Sequence, residues 1–166
     1  MRSDRFYEFK TTSRHHAFLK DKAPKLRYET GYGDIVLAHL PPENLEQDTK
    51  IVRLIKDFGL DKTKQTSIFM MCPNTFYHWH IDGRRKCAIN MVLDGWDSLV
   101  LTGRRKGPYY EHLEHVPYTL SKYMLLNTSV PHTVINFSQP RYVLSLGLPP
   151  SVTFEDILKY SIDNDV

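Results

Sequence analysis

The sequence predicts a mainly β protein, a sandwich or jelly roll with helices packed over one sheet. Three observations carry this. Between residues 67 and 148, short runs rich in Val, Ile, Leu, Tyr and Phe alternate with Gly, Pro, Asn and Asp, the texture of strands and turns. Eight such runs follow at regular spacing, which favours a closed all-β architecture. Helical periodicity appears only before and after them.

Residues 1–34 are polar and mixed, with a turn signal at 31–34, and extra strands, a lid or a dimer contact are all open for this segment. Residues 35–40 read as a strand. Pro41-Pro42 then opens a helix over about 43–58, since proline suits a first helical turn. Ile51, Val52, Leu54, Ile55 and Phe58 form its apolar stripe, and Gly59 ends it. Strands are expected at 67–72, 76–82, 86–93, 98–102, 109–120, 123–127, 132–137 and 141–148. Residues 153–161 read as a short C-terminal helix, with Thr153 as cap and Asp156 at the third position of a capping box.

At 166 residues the chain is expected to be a single domain: a strand core over about 67–148, an N-terminal extension over 1–66 and the C-terminal helix. A composition of 41% hydrophobic and 25% charged residues excludes disorder, collagen and coiled coil. A formal charge of +3 does not demand nucleic acid. Cys72 and Cys87 lie in apolar runs and read as reduced, buried thiols. No apolar run approaches the roughly 20 residues of a membrane helix, and the first residues lack a signal-peptide core. A soluble cytoplasmic protein is the default expectation, and the oligomeric state is not legible.

The chemistry concentrates in four residues. In a strand, His78, His80 and Asp82 share one face, while Tyr77, Trp79 and Ile81 share the other. Ionisable groups buried there without partners would cost several kcal/mol, roughly 2–7 each. A divalent metal removes that cost. His80 and Asp82, at spacing i and i+2, offer two ligands; His132, 52 residues later, supplies a third from another strand. Two imidazoles and one carboxylate on one face of a metal leave its opposite face open. Arg141 follows His132 by nine residues across a short turn. If the two strands are antiparallel neighbours, about four residues at ~3.3 Å offset the side chains by about 13 Å. An arginine and an extended five-carbon diacid together span that gap, and a buried guanidinium pairs bidentately with a carboxylate. The plainer reading of Arg141, a surface arginine opening a strand, stays open.

His80-Ile81-Asp82, His132 and Arg141, in this order and spacing, resemble the 2-oxoglutarate and iron(II)-dependent oxygenases. The run from His80 to Asn90 looks like small phage and bacterial members related to the aspartyl, asparaginyl and prolyl hydroxylases. The resemblance spans about 67–148. It implies a double-stranded β-helix, iron(II) held by His80, Asp82 and His132, and 2-oxoglutarate chelating the iron while its 5-carboxylate pairs with Arg141. O2 is the co-reactant, and an unactivated C–H bond of a peptide side chain (Asp, Asn or Pro type), a protein or a small molecule is hydroxylated. Two departures stand out. Many relatives carry Arg-x-Ser, but here that position is Val143, and Ser145 is the next serine on the same face. Some aspartyl hydroxylase relatives lack the acidic ligand, whereas this chain keeps Asp82; the second cation that they place after the ligand pair would be Lys86 or Arg85 here. Asn90 either faces the interior and bonds co-substrate or substrate, or is an ordinary buried asparagine.

Other patterns are weaker. His78-Trp79-His80 starts like a cupin motif, but Arg84 and Arg85 stand where its glutamate belongs. The run Glu111-His112-Leu113-Glu114-His115 is not His-Glu-x-x-His. The basic clusters Arg84-Arg85-Lys86 and Arg104-Arg105-Lys106 read first as solvated loops, although they keep an anionic or nucleobase substrate open. The competing functions are a non-catalytic jelly-roll binding module and a metal enzyme that uses no 2-oxoglutarate.

Overall fold

The computed structural model describes residues 3–32, 35–40, 45, 48–59 and 66–166. In chain order the elements are β1 (Phe6–Thr12), α1 (His16–Lys22), β2 (Glu29–Tyr32), β3 (Ile35–His39), α2 (Thr49–Phe58), β4 (Thr66–Met71), β5 (Thr75–His80), β6 (Cys87–Asp94), β7 (Ser98–Lys106), β8 (Tyr109–His115), β9 (Lys122–Asn127), β10 (His132–Asn136), β11 (Arg141–Gly147) and α3 (Phe154–Asp163). A seven-stranded sheet of order β1-β9-β6-β11-β4-β3-β2 faces a four-stranded sheet of order β5-β10-β7-β8. All pairings are antiparallel. This is the jelly roll that the sequence predicts.

The eight expected strands appear as β4 to β11. The expected strand 109–120 stops at His115, and Pro117, which cannot donate to a ladder, lies just beyond it. The large sheet is two-faced because its strands alternate. On its outer face Ile89, Met91, Leu93, Leu125, Leu144 and Leu146 are fully buried. They pack beneath Leu19 of α1, Ile51 and Leu54 of α2, and Phe154 and Ile157 of α3. A smaller cluster of Phe6, Val100, Val116, Met124 and Leu126 fills the space between the sheets.

The N-terminal third contributes more than its polar composition suggests. β1 extends the large sheet along β9, and α1 packs on β6. Of the readings left open for this segment, extra strands are the one the structure supports. Of the turn expected at 31–34, residues 31 and 32 end β2, while 33 and 34 lie outside the described residues, as does the start of the helix expected from 43. As described, α2 begins at Thr49. Its stripe and its stop agree with expectation: Ile51 and Leu54 are buried, and Gly59 takes a positive φ of 69° while its N–H bonds the Ile55 carbonyl. In α3, Thr153 and Asp156 form both hydrogen bonds of the capping box, which holds the Asp156 carboxyl below its ordinary pKa. Cys87 is fully buried and Cys72 half-buried, both free thiols. No helix among the described residues is long and apolar enough to cross a membrane.

Asp48 ties these layers together. Its carboxylate does not cap α2, which it precedes. It accepts from Ser13 Oγ at 2.6 Å, the Arg14 N–H at 2.8 Å and the Tyr123 hydroxyl at 2.6 Å. The link between β1 and α1, the start of α2 and strand β9 thus meet at one buried carboxylate. Burial, with the neighbouring Asp48 charge, pushes the Tyr123 phenol well above its ordinary value, so it stays a donor.

Gly95, at the end of β6, has a φ of 78°, and a Cβ there would lie 2.4 Å from both Arg141 Cα and the Pro140 carbonyl oxygen. Only glycine lets the chain turn this close to β11.

Tyr123→Phe is expected to lower unfolding free energy in urea by about 1.5–3 kcal/mol, the range for a lost hydrogen bond to a charged group. Gly95→Ala is expected to cost about 1–3 kcal/mol through overpacking, and a thermal melt within error of the parent would refute the close approach.

Candidate metal centre

A cavity of about 600 Å³ opens between the two sheets and is lined from both. His80 ends β5, His132 begins β10, and the two residues pair directly across the small sheet. Their ring centroids are 4.2 Å apart. Asp82 Oδ1 lies 3.6 Å from His80 Nε2 and 3.9 Å from His132 Nε2. One ligand atom from each of the three lies within 4.8 Å of the others.

Both rings are oriented by backbone. His80 Nδ1 lies 2.7 Å from the His78 carbonyl oxygen, and His132 Nδ1 lies 3.0 Å from that of Val130. In a neutral imidazole the nitrogen facing a carbonyl carries the proton, which makes Nε2 of each ring the atom offered toward Asp82. Burial pushes His132 below its ordinary pKa, so it is a neutral imidazole at pH 7. The carboxylate is also divided. Arg85 Nε donates to Asp82 Oδ2 at 2.6 Å, leaving Oδ1 toward the histidines. The donor set and its hydrogen bonding fit a divalent metal that prefers nitrogen and oxygen ligands.

Strict alternation along residues 76–82 does not hold. Val134 pairs with Tyr77 and His132 with His80, so β5 spends three residues where β10 spends two. The extra residue is a β-bulge at His78-Trp79, and it reverses the alternation. Thr133 pins it by donating its hydroxyl to the Tyr77 carbonyl at 2.5 Å. Tyr77 therefore shares the cavity face with His80, their rings 4.1 Å apart. His78, expected beside His80, instead packs on Phe76, and Trp79 stacks on Tyr110 of β8. Asp82 lies past the end of β5, in a turn held where its N–H donates to the Thr128 carbonyl.

Arg141 begins β11 and is buried. The expectation that its strand neighbours β10 is corrected: β10 belongs to the small sheet, whereas β11 lies between β6 and β4 in the large one. The chain crosses between sheets at 137–140, where the Asn136 amide donates to the carbonyls of Met71, Cys72 and Gln139. Arg141 faces the triad across the cavity. Its Nε donates to Ser98 Oγ at 3.0 Å, and its guanidinium sits 5.5 Å from the Tyr118 ring centroid. No carboxylate among the described residues lies within ion-pair distance of it. Desolvation pushes its pKa down, opposed mainly by the Tyr118 phenol. A buried, still charged guanidinium without an acid partner is a site waiting for an anion.

Asn90, Val143 and Ser145 line the cavity with Arg141. Asn90 donates to the Tyr118 hydroxyl at 3.4 Å, while its Oδ1 is buried without a partner. Lys86, the expected second cation, is exposed and does not line the cavity. Arg85 does, bonding Ser145 Oγ as well as Asp82. Backbone alternation on β6 and the turn before it decide this, and neither is visible in a run of three basic residues. Tyr118 and Tyr77 were not anticipated: one sits in an irregular loop after Pro117, the other behind the bulge.

No protein-family model and no curated protein matches the chain. Solved structures do. A prolyl hydroxylase from Trichoplax adhaerens, in complex with a hypoxia inducible factor oxygen degradation domain peptide, superposes with a TM-score of 0.65 at 10% identity, covering 94% of this chain and 87% of that one. A Pseudomonas putida prolyl-4-hydroxylase gives 0.61 at 14% identity, covering 89% and 93%. HygX from Streptomyces hygroscopicus, with nickel, 2-oxoglutarate and hygromycin B bound, gives 0.63 at 10% identity, covering 88% and 82%. The chain has the fold of the 2-oxoglutarate and iron(II)-dependent oxygenases, prolyl hydroxylases among them.

Proposed function

We propose that this protein is an iron(II)- and 2-oxoglutarate-dependent oxygenase that hydroxylates an unactivated C–H bond. The observation that carries the reading is the pairing, in one cavity, of a His80-Asp82-His132 donor set with a buried Arg141 that has no acid partner among the described residues. The structural neighbours support it, since the HygX structure holds 2-oxoglutarate. A peptide side chain of the Asp, Asn or Pro type, or a small molecule, is the substrate class, in keeping with the peptide-bound and hygromycin-bound neighbours.

His80 and His132 would hold iron through Nε2 and Asp82 through Oδ1. Arg141 would take the 5-carboxylate of 2-oxoglutarate, with Ser98 fixing its fork and Tyr118 beneath it. Arg141 and Ser145 lie four residues apart on β11, and Ser145 contacts Arg85 beside the triad. Four strand residues span about 13 Å, the reach of an arginine plus a five-carbon diacid. Val100, Leu126, Val134 and Val143 keep the space between dry, which strengthens the charge pairing. The bound metal and 2-oxoglutarate, with O2, supply the oxidising power by oxidative decarboxylation to succinate and carbon dioxide. The chain's own part is to orient both and to exclude water.

His80→Ala, Asp82→Ala and His132→Ala are each expected to abolish iron(II) binding in anaerobic titration while circular dichroism stays unchanged; a variant that binds iron like the parent removes that residue from the ligand set. In the parent, iron(II) and 2-oxoglutarate together are expected to give a weak visible charge-transfer band. Bound iron without that band would favour a metal-binding module or an enzyme without 2-oxoglutarate. Arg141→Ala is expected to weaken 2-oxoglutarate binding by about 2–5 kcal/mol, the cost of truncating one side of a buried charge pair. Arg141→Lys is expected to remain impaired, because lysine lacks the planar fork. Unchanged 2-oxoglutarate affinity in both would exclude Arg141 from the site.

A further inference from the structure

The ionisable side chains lining the cavity, beyond its histidines and tyrosines, are Asp82, Arg84, Arg85 and Arg141. Under the reading above, a divalent metal and a doubly charged 2-oxoglutarate cancel in formal charge, which leaves three arginines against one carboxylate, Asp82. The net is two positive charges, and two of the three guanidinium groups, Arg84 and the Asp82-paired Arg85, lie on the turn between β5 and β6. Arg85 is partly buried and tethered to Asp82 and Ser145. Arg84 is exposed at the rim, and among the described residues it has no acid within ion-pair distance.

The wall next to this turn is apolar. Ser145, which Arg85 touches, pairs with Ser67 on β4, and the next inward-facing residue there is Phe69. Phe69 pairs in turn with Leu37 of β3. Both line the cavity where the seven-stranded sheet runs on past the four-stranded one.

We propose that the substrate oxidised here carries an anionic group, a carboxylate or a phosphate, held by Arg84 and Arg85 at the metal end, with an apolar segment along Phe69 and Leu37. The proposal rests on the oxygenase reading for the identity of the other cavity occupants. Excess positive charge in a low-dielectric cleft concentrates anions and orients them before any close contact forms. Arg85 sets direction, because it is anchored at two atoms, and Arg84 is the free partner that closes on the anion.

The test uses the full chain loaded with redox-silent nickel(II) and 2-oxoglutarate, titrated calorimetrically with hexanoate, hexyl phosphate and hexanamide, which share one apolar body. At least one anion is expected to bind about tenfold or more tighter than the amide at low salt, and to lose most of that margin at high salt. The tighter of the two names the anion. Arg84→Gln is expected to cut anion binding about fivefold, as for an exposed charge, and the double variant Arg84→Gln, Arg85→Gln to remove the preference. 2-Oxoglutarate binding, followed in the same samples, is expected to depend on Arg141 and not on Arg84. Equal binding of amide and anions, or an anion preference indifferent to Arg84, overturns the proposal. Failure of the parent to bind 2-oxoglutarate overturns the oxygenase reading instead, and the Arg84 dependence still decides the anion site on nickel-loaded protein.

Discussion

Folding takes the Arg141 guanidinium out of water and, among the described residues, brings no carboxylate to meet it, and much of the molecule is arranged to make that possible. The residue begins a central strand, flanked by β6 and β4, so it cannot move aside to find solvent. Ser98 and the face of Tyr118 supply partial compensation, enough to hold the fork in one orientation but not to neutralise it. Gly95 lets the chain pass close enough to seal the strand from behind. Such a charge is tolerated because the rest of the large sheet is strongly stabilised on its other face. The unmet electrostatics are then available to a ligand.

The same sheet therefore does two jobs through alternation alone. On β6, Ile89, Met91 and Leu93 point to the helices, while Asn90 between them points into the cavity. On β11, Leu144 and Leu146 serve the helical face and Arg141, Val143 and Ser145 the cavity. Apolar burial against three helices is separated from the polar site by one strand thickness. Asp48 extends this logic to the periphery, pinning β1, α2 and β9 through one carboxylate with three donors.

Much of this was legible in the sequence. The strands β4 to β11 announce themselves by β-branched and aromatic runs between turn residues, and the α3 capping box by Thr153 and Asp156. The site was legible as composition and spacing: His80, Asp82, His132 and Arg141 do meet in one cavity. What was not legible depends on pairing. Nothing in Tyr77-His78-Trp79-His80 marks a bulge, because a bulge is a property of two strands and not of one. That β10 and β11 fall in different sheets is likewise a crossover the linear order does not encode. Lys86 and Arg85 differ by one position, and one position in a turn reverses the side presented. β1 was hidden because Glu8 and Lys10, next to the core residue Phe9, dilute its apolar pattern.

The bulge in β5 also separates two quantities that usually change together. A bulge-free β5 that kept Tyr77 opposite Val134 would place Trp79 opposite His132 and leave the ladder fully paired. That register would turn His80 to the other face, away from Asp82 and His132. A chain paired in this way would keep its sheet and lose one histidine from the donor set.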